Sequence, residues 1–202
     1  MNVISREAEA TLEVRKSRFL ARTFRVISTN EAMAAVKRIR DERRDADHNC
    51  WAWRIGPAAE QARYNDDGEP SGTAGPPILQ VLSRRGMTNI LLVVTRYFGG
   101  TKLGAGGLAR AYGDAAKAAI EASEPRPLRL LATLRAELPH AALPAMEHFL
   151  AKRGFEIVSR EFGEVVVLVV RLPADEEPTF RSFHLGLVSG RHPCRELGRD
   201  HA

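Results

Sequence analysis

Residues 90–112, ILLVVTRYFGGTKLGAGGLARAY, pass from a continuous apolar run to a glycine-rich loop and then to a helical pattern. The apolar run is typical of a strand that is buried on both faces, and five glycines follow within nine positions, from Gly99 to Gly107. A helix that begins in such a loop leaves the N–H groups of its first turn unpaired, and its dipole adds partial positive charge there. The segment therefore predicts a candidate anion-binding site, composed of Arg96, Gly99, Gly100, Lys102, Gly104, Gly106, Gly107 and Arg110.

This loop differs from two well-known phosphate cradles. In a P-loop the second glycine is followed by Lys and then Ser or Thr, whereas here Gly104 is followed by Ala105. The dinucleotide fingerprint is formally met by residues 104–109, but the helix then runs into Glu-Pro-Arg-Pro rather than into a second parallel strand. A general anion site is left open. So is the alternative that the glycines serve tight backbone packing or turns with positive φ.

A second candidate functional loop, YNDDGEPSGTAGPP, starts at Tyr64 and is dense in turn-forming residues. Its carboxylates are of the kind that bind Mg²⁺, but their spacing is not that of a calcium loop, and Asp-Gly is a common turn. A turn is the favoured interpretation, and no metal site is predicted. The candidate residues of this loop are Asp66, Asp67, Glu69 and Thr73.

Residues 48–55, HNCWAWRI, predict a strand with His48 and Cys50 on the same face. A zinc site needs further Cys or His ligands at metal spacing, and the sequence has no second pair of that kind. Neighbours on one strand face rarely orient as a nucleophile and its base. The residues therefore predict neither a catalytic constellation nor a cofactor.

The pattern of apolar residues predicts two domains of mixed helix and strand, an α+β fold. The first, residues 1–124, has predicted strands at 10–15, 18–26, 48–55 and 90–95, with helices at 28–43, 77–85 and 106–123. Glu-Pro-Arg-Pro, residues 124–127, forms the predicted boundary, since two prolines stop a helix. The second domain, residues 128–202, follows the order strand, helix, strand, strand, helix, which is the split βαβ order of ferredoxin-like domains. Its closing strand is expected within residues 188–202, where the strand pattern is weak.

Charge and cysteine content point to the partner and the compartment. Residues 1–123 carry 19 Lys and Arg against 14 Asp and Glu, while residues 124–202 carry 11 of each. The net charge of +5 therefore lies in the first part, and it indicates either RNA or a phosphorylated ligand as a partner or an ordinary solubilising charge. Two distant cysteines, an N-terminus without an apolar leader and no run of membrane-spanning length predict a cytoplasmic protein with no membrane partner.

Four segments in this order resemble the YigZ/IMPACT family: KSRFLA, DADHNCWAW, NDDGEPSGTAGPP and VVTRYFGGTKLGAGGLARAYG. The resemblance covers about residues 16–123, and residues 128–187 resemble the smaller C-terminal domain of bacterial members. It implies a first domain similar to the second domain of a small-subunit ribosomal protein, and a ferredoxin-like second domain similar to elongation factor G domain V. The family motifs select Asp66, Asp67, Gly68, Glu69, Gly72, Thr73, Gly75, Arg96, Tyr97, Gly99, Gly100, Gly104, Gly106 and Gly107.

The resemblance also implies a class of function. Eukaryotic members of the family regulate translation by competing for the activator of a starvation-sensing kinase, and bacterial members are suspected of binding nucleic acid or the ribosome. The first hypothesis is accordingly a non-enzymatic protein that binds RNA, the ribosome or a translation factor. In it, Arg96 reaches solvent and grips phosphate together with the glycine loop. The alternatives are an enzyme acting on a small phosphorylated substrate with a metal, and a protein–protein regulator. The oligomeric state is left open.

Overall fold

The computed structural model describes residues 1–201, so Ala202, the last residue of the predicted second domain, lies outside the described part. The chain divides into two compact units, one from Met1 to Leu128 and one that begins at Arg129. Each unit combines helices with β-sheet, which confirms the predicted α+β class. In the described chain, none of the helices is both long and apolar enough to cross a membrane.

The first unit contains seven strands and three helices. In chain order these are β1 (Asn2–Ile4), β2 (Glu9–Val14), β3 (Ser17–Arg25), α1 (Thr29–Glu42), β4 (His48–Ile55), β5 (Gln61–Asn65), α2 (Gly75–Arg84), β6 (Ile90–Tyr97), α3 (Gly104–Ala122) and β7 (Pro125–Pro127). Five strands form one antiparallel sheet in the order β2-β3-β6-β4-β5. The central strand β6 is buried over residues 90–95, as its apolar run predicts, and the burial extends to Arg96.

Helices cover both faces of this sheet. On one face α2 and α3 pack their apolar side chains, such as Ile78 and Tyr112, against the sheet. On the other face α1 covers Trp51 and Trp53, whose rings stack with centroids 4.5 Å apart and planes 3° apart. Alternation along β4 sends Cys50 to the first core and its tryptophan neighbours to the second, because successive side chains of a strand point to opposite faces.

Two parts of the first unit differ from the prediction for physical reasons. Strand β5 has no counterpart in the prediction, and its last two residues, Tyr64 and Asn65, belong to the segment expected to be a polar loop. It is an edge strand whose five residues are all exposed and so carry no apolar alternation. Residues 125–127, expected to be an interdomain linker, form β7 and pair with β1 of the first unit. Proline is tolerated in such a short two-stranded sheet because pairing of the two strands requires few main-chain N–H donors from β7.

The second unit has the strand order β11-β8-β10-β9, with all neighbours antiparallel. Its elements are β8 (Leu130–Leu138), α4 (Leu143–Arg153), β9 (Glu156–Phe162), β10 (Val166–Pro173), α5 (Glu177–Val188) and β11 (Cys194–His201). Counted within the unit, this is the order 4-1-3-2 of a ferredoxin-like split βαβ fold. The closing strand that the sequence shows only weakly is therefore present. It lies at a sheet edge with exposed side chains, and a bulge between Glu196 and Gly198 interrupts its pairing.

Candidate functional site

The glycine loop joins the end of β6 to the start of α3. No side chain caps the start of α3, and the main-chain N–H groups from Gly100 to Gly106 donate no hydrogen bond to residues 1–201. Gly100 and Gly104 have φ of +85° and +71°, values that residues other than glycine rarely adopt. The loop thus presents a run of unpaired donors at the positive end of a 19-residue helix.

The glycines of this loop serve different purposes. A Cβ on Gly99 would lie 2.0 Å from the main-chain carbonyl carbon of Lys16, so this glycine is required for close backbone packing against the hairpin of β2 and β3. A Cβ on Gly106 would meet no atom within 4 Å. The packing alternative therefore explains Gly99. At Gly106, by contrast, space stays open beside the first turn of α3.

A cleft of about 410 Å³ opens at this end of α3. Its lining comes from the ends of β4 and β6, from the loop before α2 and from the start of α3: Asp47, His48, Glu69, Pro70, Arg96, Phe98, Lys102, Leu103, Gly104, Ala105 and Leu108. The volume lies within the range of roughly 300–1,000 Å³ that is typical of small-molecule sites. The cleft belongs wholly to the first unit.

Arg96 is placed differently from the sequence prediction. Its side chain is only 7% exposed, and its Nη1 donates to Oε1 of Glu69 at 2.6 Å, while Glu69 is itself 2% exposed. The Arg96 guanidinium also lies between two aromatic rings, 5.6 Å from the centroid of Phe19 and 5.5 Å from that of Phe98. The expectation that Arg96 reaches solvent is wrong, because a buried guanidinium needs a carboxylate partner and finds one in Glu69.

Tyr112 and Cys50 extend this pair into a buried polar network. The Tyr112 hydroxyl donates to Glu69 Oε1 at 2.7 Å, and the Cys50 thiol donates to Tyr112 Oη at 3.3 Å and to the carbonyl oxygen of Asp66 at 3.0 Å. Burial, reinforced by the nearby carboxylates, raises the pKa of the Cys50 thiol above its ordinary range, and burial likewise raises the pKa of Tyr112. Cys50 is therefore held as a neutral thiol, which does not suit a nucleophile.

His48 lies beside this network at the floor of the cleft. Its Nδ1 is 2.8 Å from the carbonyl oxygen of Asp67, and its Nε2 is 4.0 Å from Glu69 Oε2. A carbonyl oxygen only accepts hydrogen bonds, so Nδ1 of His48 carries a proton and donates it to Asp67. Glu69 Oε2 receives no hydrogen bond from the described residues. The cleft lining thus holds a carboxylate oxygen without a donor, while the buried Nε of Arg96 has no acceptor among the described residues.

The other members of the acidic loop hold the local structure. Asp66 accepts from the amides of Gly72, Ala74 and Gly75 and so caps the start of α2. Asp67 accepts from the amide of Asn49 and pairs with Arg40, and the Thr73 hydroxyl donates to the carbonyl of Pro70. Because each carboxylate of the loop has its own partners, the three do not form a shared metal site, and no such cluster occurs among residues 1–201.

The two other cations of the predicted site lie apart from each other. Lys102 is exposed and lines the cleft, and it forms no salt bridge within residues 1–201. Arg110 is 85% exposed, pairs loosely with Asp114 at 3.7 Å, and lines a neighbouring hollow rather than the cleft. The structure therefore brings together Arg96, Lys102, Gly104 and Glu69 and separates Arg110 from them.

Sequence reasoning gave no role to two residues of the cleft, Asp47 and Phe98. Asp47 accepts from the amide of Phe98 at 2.7 Å and so fixes the start of the glycine loop, while the Phe98 ring is 48% exposed. The signal available in the sequence for Phe98 was its position, as an aromatic residue between the predicted strand and the glycine loop. Asp47 has no such signal, because its partner is 51 residues away.

Comparison with known protein families assigns both parts of the chain. Residues 15–120 match the Impact N-terminal domain, and residues 137–183 match a domain of unknown function, DUF1949. The IMPACT family member YvyE of Bacillus subtilis is 33% identical over 193 residues, which are 96% of this chain and 89% of YvyE. The IMPACT family member YigZ of Escherichia coli is 35% identical over 170 residues, 83% of each chain.

Two solved structures are also similar to this chain. The crystal structure of a hypothetical protein is 31% identical, covers 98% of this chain and 97% of its own, and superposes with a TM-score of 0.60. The two-domain translational regulator Yih1 is 28% identical over 57% of this chain and 46% of its own, with a TM-score of 0.40. With family models matched in both units and relatives aligned over most of its length, the chain belongs to the IMPACT family.

Proposed function

We propose that this chain is a non-enzymatic RNA-binding protein that acts in the regulation of translation, and that its first unit takes an RNA phosphate at the start of α3. The observation that carries the proposal is the uncapped first turn of α3, whose residues Gly104 and Ala105 line the cleft. Unpaired amides at a helix start, with the positive end of the helix dipole behind them, bind phosphate in many proteins.

The charges around the cleft support an anionic guest. Lys102 is exposed at the cleft and lacks a carboxylate partner in the described chain, so its charge is available to a phosphate. Arg96 has a different role from the one predicted, since Glu69 already neutralises it. Phosphate binding is thus assigned to the amides of the glycine loop and to Lys102, and Arg96 supports the floor beneath them.

Membership of the IMPACT family supports the biological setting. The family resemblance implies translation regulation for eukaryotic members, and the excess of Lys and Arg over Asp and Glu in residues 1–123 suits a polyanionic partner. The alternative of a metal-dependent enzyme is not favoured. The carboxylates that would bind the metal, Asp66 and Asp67, instead accept hydrogen bonds from main-chain amides.

Filter binding of a single-stranded RNA over a salt series tests the proposal. Lys102→Gln should weaken binding uniformly across RNA sequences and should reduce the slope of log K against log salt by about 0.7. Lys117→Gln is the matched control, because Lys117 is an exposed lysine of α3, pairs with Asp114 and lies about 20 Å along the helix axis from Gly104. Absence of RNA retention by the unaltered protein at low salt would refute the proposal.

A further inference from the structure

One carboxylate oxygen at the floor of the cleft lacks a hydrogen-bond donor. Glu69 is a carboxylate whose side chain is 98% buried, and its Oε2 has no donor among residues 1–201. Nε2 of His48 lies 4.0 Å away from it. A carboxylate oxygen only accepts hydrogen bonds, so Glu69 Oε2 suits a guest that brings an O–H group.

Two other walls of the cleft differ in chemistry from this floor. The start of α3 and Lys102 offer donors and positive charge, which suit a phosphate. Phe98 exposes 48% of its surface, and Arg96 lies over its ring at 5.5 Å. An exposed aromatic ring of this kind is a platform on which a nucleic-acid base can stack.

These three features match the three parts of one nucleotide. We propose that the cleft is a ribonucleotide pocket in which the phosphate lies at the start of α3, the base stacks on Phe98 and the ribose 2′-hydroxyl, beside His48, donates to Glu69 Oε2. This inference rests on the proposed RNA binding and adds selectivity for RNA over DNA. The 2′-hydroxyl is the group that lets a protein separate the two polymers, and an acidic side chain is a frequent partner of that hydroxyl.

The inference predicts a definite order of affinities for the unaltered protein. Short single strands of one sequence are compared as RNA, DNA and 2′-O-methyl RNA by isothermal titration. RNA should bind at least about tenfold more tightly than the other two, because DNA lacks the hydroxyl and 2′-O-methyl RNA keeps the oxygen without its hydrogen. Equal affinity of all three, with equal salt dependence, would overturn the pocket assignment and leave the proposed phosphate contact standing.

A pair of histidine variants tests the floor directly. His48→Leu places an apolar side chain beside Glu69 Oε2 and should bring the affinity for RNA down to that for DNA, without changing the affinity for DNA. His148→Leu, at an exposed position of α4 in the second unit, should keep the preference for RNA. A His48→Leu protein that folds as judged by circular dichroism and still prefers RNA tenfold would contradict the inference.

Mononucleotides separate this inference from the proposed function. If RNA strands are not retained at low salt, the proposed function fails, and titration with a ribonucleoside 5′-monophosphate and its 2′-deoxy form then decides the pocket alone. Tighter binding of the ribo form supports the pocket. Equal or absent binding of both forms overturns it.

Discussion

Nη1 of Arg96 donates to Oε1 of Glu69 at 2.6 Å, and both side chains are almost completely buried beneath the cleft. The two residues lie 27 positions apart, one on the central strand and the other in the loop before α2. This pair fixes the position of the loop relative to the sheet. Arg96 is therefore assigned a structural role rather than a role in ligand binding.

Removal of one member of this pair should strongly destabilise the protein. Glu69→Gln leaves the Arg96 charge buried without a carboxylate, and we expect the free energy of unfolding to fall by about 3–5 kcal/mol. Adding Arg96→Met should restore part of the loss, because no uncompensated charge then remains and Gln still accepts from Tyr112. Urea denaturation followed by circular dichroism measures both changes. The exposed pair of Arg110 and Asp114 provides the control, with an expected change for Arg110→Ala below about 1 kcal/mol.

Gly106 allows anion binding to be separated from folding. Gly106→Asp places a carboxylate in the first turn of α3, where it interacts favourably with the helix dipole but repels a phosphate. We expect an unchanged or slightly higher melting temperature, together with a loss of RNA affinity of more than about tenfold. Gly106→Ala is the matched variant: its Cβ enters open space, so it should keep RNA binding. Undiminished RNA binding by Gly106→Asp would exclude the start of α3 as the phosphate site.

An added methyl group should destabilise the protein at Gly99, although it should not do so at Gly106. Gly99→Ala drives its Cβ into the main chain of Lys16, and the backbone cannot rotate away as a side chain does. We expect a loss of about 1–3 kcal/mol in the free energy of unfolding, against no loss for Gly106→Ala. Equal stability of the two alanine variants in urea would show that the hairpin of β2 and β3 shifts freely away from the loop.

The buried thiol and phenol predict a loss of stability at high pH. The pKa values of Cys50 and Tyr112 are raised in the folded protein, so both groups keep their protons while the unfolded chain releases them near pH 8.5 and 10 respectively. Their contribution is fully present below about pH 8.5 and decreases as pH rises, by up to about 1.4 kcal/mol per pH unit for each group.

Urea denaturation from about pH 8 to pH 10.5 tests this dependence for Cys50. The pKa of Cys194 is also raised by burial, so Cys194→Ser serves as the background for both proteins compared. In that background Cys50→Ala should give a shallower decline above about pH 9 than the protein that retains Cys50. Parallel curves for the two proteins would mean that the Cys50 thiol titrates in the folded state as it does in the unfolded chain.

The elements that are buried on both faces or amphipathic could be predicted from the sequence. Strand β6 begins with a continuous apolar run, and α3 places Leu108, Ala111, Tyr112, Ala115 and Ala119 at helical spacing, so each pattern had one interpretation. The edge strands β5 and β11 were missed or weak because their side chains are exposed and carry no alternation. The apolar pattern of a sequence shows which residues of an element are buried. It does not show which exposed strands pair at the edge of a sheet.

The candidate site was predictable only in part for a related reason. The helix start at Gly104 follows from the strand–loop–helix order, which is local. The partners of Arg96 and His48 come from the acidic loop, 27 and 19 residues away, and no spacing rule connects them. Charge type alone suggested that Arg96 reaches solvent, and only the fold shows that Glu69 lies opposite.

The stacked indoles of Trp51 and Trp53 give this two-unit protein a built-in reporter. They are the two tryptophans of the chain, and both lie beneath α1 in the first unit. Tryptophan emission therefore follows the melting of the IMPACT-type unit alone, while far-ultraviolet ellipticity follows both units. A difference between the two transition curves measures how far the ferredoxin-like unit unfolds independently.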